Sequence, residues 1–332
     1  MKMFFRSAVR VSLLDILTRR PGRYNERWKE ASADVQKQSY KKKLSRPFPA
    51  RDLEAPAGSL PQSATRTPRR RVWLVAGGLA VAAAVALAAA FAMRSSPPPV
   101  YRCQVLAEYP HSADAFTQGL VYEDGVLYEG TGGYGASWLR RVELKTGKVI
   151  QQVALEEKFF GEGITIVGDE IYQLTWRSRV GFVYDKTTFR KLREFTYTGE
   201  GWGLTYDGQH LILSDGTETL RFFEPRTFQE ARRLQVTSAG QRLRQLNELE
   251  YADGFIYANI WYSEYIVKIS PQTGEVVAWF DLRRLIPREV RRNREAVLNG
   301  IAYDPRSGQF FVTGKNWPRL FAVRLAESAQ GE

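Results

Sequence analysis

Cysteine and histidine are almost absent from this 332-residue chain: Cys103 stands alone, and the histidines are His111 and His210. One thiol excludes an internal disulfide framework, and so few thiols and imidazoles leave little from which to build a His/Cys zinc site, so metal-free chemistry without a cofactor is expected. Acidic residues are scarce at one end only. Residues 1–71 hold 18 of the 48 Lys and Arg but 6 of the 36 Asp and Glu, which leaves 30 of each sign from Val72 onward. The net charge of +12 therefore belongs to an N-terminal arm, and the larger remainder is neutral, with no charge signature of a nucleic-acid binder. Convincing helical periodicity is also missing after residue 100, except at about 283–292.

The arm, residues 1–71, mixes basic residues with Pro, Ser, Gln and Ala and, apart from a short amphipathic piece near 3–17, reads as largely disordered. Residues 72–93 follow as an uncharged run rich in Ala, Val and Leu, long enough for one transmembrane helix. A buried core helix is the competing reading, but Arg69, Arg70 and Arg71 flank one end and the Pro/Ser linker 94–100 the other. The positive-inside bias puts the arm in the cytoplasm and the rest across the membrane, periplasmic or extracellular: a signal anchor. Ala90-Phe91-Ala92 resembles a cleavage site, yet a leader with so long an arm before its apolar run would be unusual.

From residue 101 to about 328 the chain reads as short strands separated by turns, and one pattern recurs. Gln118-Gly119-Leu120, Glu162-Gly163-Ile164, Trp202-Gly203-Leu204, Asn247-Glu248-Leu249 and Asn299-Gly300-Ile301 each lead into a turn and a second apolar strand, followed by two more. Four strands per copy at a period of roughly 40 to 50 residues mark a β-propeller blade. Five copies predict an all-β, five-bladed propeller. Residues 283–294, polar and rich in arginine, read as a surface helix or loop inserted before the fifth copy. Residues 101–108 supply the strand that completes the blade ending at 320–325.

Innermost strands surround a propeller's axis, so Gln118, Glu162, Trp202, Asn247 and Asn299 should converge there. A purely structural ring would favour small or apolar residues, whereas amides, a carboxylate and an indole suit a small-molecule pocket. Trp176 and Trp261 each lie fourteen residues beyond their repeat's key position, as pocket wall or as blade packing. Lys315 is the cation placed nearest this mouth, although a lysine is by default a solvated surface charge. Gly130-Thr131-Gly132-Gly133-Tyr134-Gly135 matches a dinucleotide fingerprint, but a strand follows where that motif needs a helix, so it reads as an inter-strand loop.

Phe116-Thr117-Gln118-Gly119-Leu120, Phe160-Gly161-Glu162-Gly163-Ile164, Leu174-Thr175-Trp176, Gly201-Trp202-Gly203, Ser214-Asp215-Gly216, Leu246-Asn247-Glu248-Leu249-Glu250, Asn259-Ile260-Trp261 and Leu298-Asn299-Gly300 resemble, in order and spacing, the signature segments of the plant and bacterial glutaminyl-peptide cyclotransferases. The resemblance spans about residues 105–327 and leaves out the arm and the apolar run. It implies a five-bladed propeller that converts N-terminal glutamine of peptides or proteins to pyroglutamate with loss of ammonia, without a catalytic metal. It further implies Glu162 as proton shuttle, Lys315 as oxyanion stabiliser, Gln118 and Asn247 as holders of the substrate's γ-amide and amine, and Phe116, Phe160, Trp176, Trp202 and Trp261 as walls. An apolar site would raise the pKa of Glu162, with Lys315 opposing. A propeller that only binds a peptide N-terminus or a protein partner is the alternative, though it would have no evident need for such a carboxylate.

Overall fold

The computed structural model describes residues 97–325. The predicted arm, the apolar run 72–93 and the last residues of the predicted propeller domain lie outside the described residues. No helix among the described residues is long and apolar enough to cross a membrane.

Five blades of antiparallel strands form a ring. Blade one comprises Thr117–Glu123, Val126–Thr131, Trp138–Glu143 and Val149–Ala154. Blade two comprises Gly161–Val167, Glu170–Thr175, Val180–Asp185 and Lys191–Thr196. Blade three runs through Leu204–Tyr206, Leu211–Leu213, Thr219–Phe223 and Glu230–Gln235. Blade four runs through Leu246–Ala252, Phe255–Ile260, Tyr265–Ile269 and Val276–Asp281. Blade five has Leu298–Asp304, Gln309–Gly314 and Arg319–Arg324 from the C-terminal end, and Gln104–Pro110 as its outer strand. The first strand of each blade touches the first strands of both neighbours, which closes the ring.

Burial follows position in the blade. The second strands, Val126–Thr131, Glu170–Thr175 and Gln309–Gly314, are buried along almost their whole length, while the outer strand Lys191–Thr196 is mostly exposed. Apolar side chains fill the wedges between blades: Tyr128, Leu139, Ile164 and Phe182 between blades one and two, and Leu120, Leu127, Ala302 and Phe311 between five and one. Each sheet buries its faces against its neighbours, which a lone blade has no means of doing.

The N-terminal strand differs from expectation in one respect. Gln104–Pro110 completes blade five as predicted, but Val100–Arg102 pairs in parallel with Val276–Asp281 as a fifth strand of blade four. Tyr101 stacks near Phe280, with ring centroids 6.0 Å apart, so burial of that ring favours the extra pairing. The arginine-rich insertion holds two short 3-10 turns, Arg283–Leu285 and Arg288–Val290, pinned by buried Leu285 and Val290, with its arginines outward.

Strand alternation fixes which loops share a face. Because the strands within each blade are antiparallel, the turn joining second to third strand and the connection joining one blade to the next both lie at the end where the first strands begin. The key repeat positions stand at that end.

Candidate active site

Four of the five key positions sit on an irregularity. The ladder between first and second strands shifts register between Thr117 and Gly119, Gly161 and Ile164, Leu246 and Leu249, and Leu298 and Ile301. Gln118, Glu162, Asn247 and Asn299 lie inside these shifts, so each is released from regular pairing, as bulges do where a side chain must be re-aimed. Space for the ring comes from glycine. A Cβ on Gly163 would stand 2.6 Å from both Leu204 N and Trp202 O, and Gly163 N–H donates to Trp202 O at 2.7 Å. Beneath the ring, Glu248 accepts from Leu120 N–H at 3.2 Å and Ile301 N–H at 2.8 Å, tying blade four to blades one and five.

A chain of side-chain amides leads to the carboxylate. Asn299 Nδ2 donates to Thr117 O at 2.9 Å and to Gln118 Oε1 at 3.2 Å, which turns the Gln118 amide nitrogen toward Glu162 Oε1 at 3.3 Å. Asn299 is fully buried and its donors are engaged, so it positions Gln118. Asn247, also buried, makes no side-chain hydrogen bond among the described residues, which leaves its amide free to meet a ligand.

Lys315 is reached by the same backbone device as the tryptophans. Trp176 N–H donates to Phe160 O, Trp261 N–H to Gln245 O, Gly132 N–H to Phe116 O and Lys315 N–H to Val297 O. In each case the acceptor lies two residues before the key position of that blade. Lys315 is thus the blade-five counterpart of Trp176 and Trp261, and Gly132 that of blade one. Asn316, at φ 60°, turns the chain after Lys315, a left-handed conformation that asparagine tolerates well. The Lys315 ammonium stands 4.7 Å from the centroid of Phe116, and only 5% of the residue is exposed.

Aromatic rings form the walls. Phe116 meets Phe160 edge-on at 6.2 Å, Phe160 meets Trp176 at 5.6 Å, and Trp202 meets Trp261 at 5.3 Å. The two groups of rings are joined by Glu200, whose Oε2 accepts from Trp176 Nε1 at 2.7 Å and from Trp202 Nε1 at 3.0 Å. Its other oxygen accepts from Arg177 Nε at 3.0 Å, and that guanidinium lies 3.8 Å from the Trp176 ring centroid.

Burial dominates the electrostatics. It pushes the Glu162 carboxyl well above the usual carboxylate range; the charge of Lys315 opposes this and that of Glu200 adds to it. Burial likewise pushes the Lys315 ammonium down, against the pull of Glu162 and Glu295. A carboxyl and an amine displaced toward each other in affinity are suited to exchange protons.

Residues 78–325 match the family model described as Glutamine cyclotransferase. The chain belongs to that family. It is 40% identical over 230 residues to a glutaminyl-peptide cyclotransferase of Arabidopsis thaliana, covering 68% of this chain and 72% of the relative. It is also similar to the crystal structure of Myxococcus xanthus glutaminyl cyclase, at 43% identity and a TM-score of 0.65, over 68% of this chain and 97% of that one.

Four residues bordering this glutamine cyclotransferase pocket escaped the sequence reading. Tyr134 packs on Phe160 at 5.5 Å, which gives the glycine-rich loop its use: a Cβ on Gly132 would stand 2.2 Å from the Phe160 ring. Tyr262 stacks on Trp261 at 4.5 Å and donates to Glu295 Oε1 at 2.9 Å. Glu200, directly before Gly201-Trp202, had a signal in the sequence. Tyr262 and Glu295 are brought together by the fold and had none.

Proposed function

We propose that this chain is a glutaminyl-peptide cyclotransferase acting on peptides or proteins that begin with glutamine. The observation that carries this reading is a buried carboxylate, Glu162, held by Gln118 and faced by the buried charge of Lys315 inside aromatic walls. The α-amine nitrogen attacks the γ-amide carbon, the new C–N bond closes a five-membered lactam, and the old C–N bond breaks to release ammonia. Glu162 takes the proton from the amine and returns it to the departing nitrogen. Lys315 stabilises the oxyanion formed between these steps, where low dielectric strengthens its effect. Nucleophile and electrophile belong to one residue, so the pocket's main task is to hold the folded conformer, with Gln118 and Asn247 on the polar atoms and Phe116, Phe160, Trp176, Trp202 and Trp261 around the rest.

Ammonia release from Gln-initiated dipeptides by the full-length protein tests the assignment; a folded protein that releases none refutes it. The acid limb of kcat/KM carries a component above the usual glutamate range, because Glu162 must be ionised to act as base and burial holds its proton. Glu200→Gln removes a charge that raises this affinity, so the limb moves to lower pH. A limb that stays in place would exclude Glu200 from tuning the base.

The membrane assignment is carried by the sequence: residues 72–93 anchor the chain by one helix, with the basic arm in the cytoplasm and the propeller across the membrane. External protease added to intact cells is expected to spare the arm, and its digestion would reverse this topology.

A further inference from the structure

The arginine-rich connection between blades four and five has no part in the chemistry above. Residues 283–295 contain six arginines and two glutamates. The two glutamates are engaged, Glu289 with Arg319 at 3.1 Å and Glu295 with Tyr262 at 2.9 Å, and Arg283 is neutralised by Asp281. Arg291, Arg292 and Arg294 are exposed and form no ion pair among the described residues. Some exposed arginines elsewhere are paired, as Arg193 is with Glu170 and Arg233 with Glu230.

Topology places this cationic stretch beside the pocket. It is a blade-to-blade connection, and these lie on the face where the first strands begin. It is also the longest of the four. Its last residues reach the mouth itself: Glu295 holds Tyr262 against the pocket wall Trp261, and the Glu295 charge acts on Lys315. Arg292 is three residues from Glu295, hence within about 11 Å of it along the chain at full extension.

We infer that Arg291, Arg292 and Arg294 form a specificity surface for acidic side chains of the substrate, a few residues C-terminal to its first glutamine. This rests on the proposed function, because a polypeptide whose first residue occupies the pocket must leave through the mouth and pass its rim. At about 3.3–3.6 Å per residue, an extended substrate brings roughly its third to sixth residues over a surface that far from the pocket. The insertion offers little apolar surface for lipid: Leu285 and Val290 are buried, Ile286 is partly buried against the core, and its exposed side chains are polar or charged. The surface therefore suits a soluble acidic peptide better than a membrane.

The test compares Gln-initiated heptapeptides carrying Asp and Glu at positions three to six with the same peptides carrying Asn and Gln, using the full-length protein. At low salt KM for the acidic peptide is expected to be lower by about threefold to tenfold, as two or three rim ion pairs supply, and the difference disappears at high salt. The double substitution Arg291→Glu with Arg292→Glu reverses the preference and leaves turnover of a Gln-initiated dipeptide unchanged. Equal KM values for the two peptides, or a preference the substitutions do not alter, overturn the inference. So does a result in which the substitutions alter only the excess binding to phosphatidylglycerol over phosphatidylcholine vesicles, which would assign the arginines to a lipid surface. If no dipeptide is turned over, the proposed function fails separately, and fluorescence anisotropy of the labelled acidic peptide, with and without the substitutions, still decides whether the surface binds it.

Discussion

Glu162→Gln is expected to lower kcat for ammonia release from Gln-initiated dipeptides by about 10²- to 10⁴-fold, the range that a positioned general acid–base group contributes. The substitution keeps the side chain's length and an oxygen that accepts from Gln118 Nε2, so the amide chain through Asn299 and Thr117 remains in place. What is lost is the capacity to take a proton. Burial already favours the uncharged form of this group, so the neutral amide fits the folded protein and circular dichroism should be unchanged. KM should move little, because the pocket walls and the Asn247 amide are untouched. A folded variant with the wild-type rate would remove Glu162 from the chemistry.

His111→Ala is expected to destabilise the propeller by about 3–5 kcal/mol, the cost of leaving one partner of a buried ion pair alone. His111 Nε2 meets Glu129 Oε1 at 2.9 Å and Nδ1 meets the Trp317 carbonyl oxygen at 2.6 Å. Both ring nitrogens face oxygens that can accept, an arrangement that favours the protonated imidazole. Burial alone would lower its pKa, but the charge and hydrogen bond of Glu129 with the Trp317 carbonyl raise it overall. Glu129, which also accepts from Thr117 Oγ1 at 2.7 Å, is pushed up by burial and held down, in net, by His111. Stability from the histidine is full below its ordinary 6.5 and is lost as pH rises through the raised value. Stability from the carboxylate is full above its ordinary 4.5 and is lost as pH falls through the lowered value. Urea unfolding should therefore show the pair's contribution complete between those values and eroding on either side. Removing both partners should cost less than the two single losses together, and additive losses would mean that the pair does not interact.

This pair was invisible in the sequence for a physical reason. His111 and Glu129 belong to different elements with no repeat relating them, and only closure of blade five against blade one brings Trp317 to the imidazole. The blade count and the ring of Gln118, Glu162, Trp202, Asn247 and Asn299 were legible, because a repeated unit writes its axial position once per copy. Lys315 was legible only in part: its backbone bond to Val297 is the one Trp176 makes to Phe160, but the turn before it is longer, so spacing alone did not align it. Pairing of Val100–Arg102 with blade four was not legible, since an extended stretch can lie along either blade's edge and the choice is made by packing of Tyr101 on Phe280.

That crossing of the N-terminal strand over two blades bears on how the molecule is made. Gln104–Pro110 is synthesised before any blade, yet its partner Arg319–Arg324 follows every other blade strand in the chain, so this strand waits through translation of the whole ring. Pairings of such sequence separation are slow to form, because loop closure must precede the contacts that reward it. Until Arg319–Arg324 is made, Gln104–Pro110 is a free strand with no partner in its own chain. A second nascent chain offers the same strand, so crowding of translating ribosomes would favour exchange between copies, whereas in a completed ring the edge of Arg319–Arg324 is already taken by the chain's own strand.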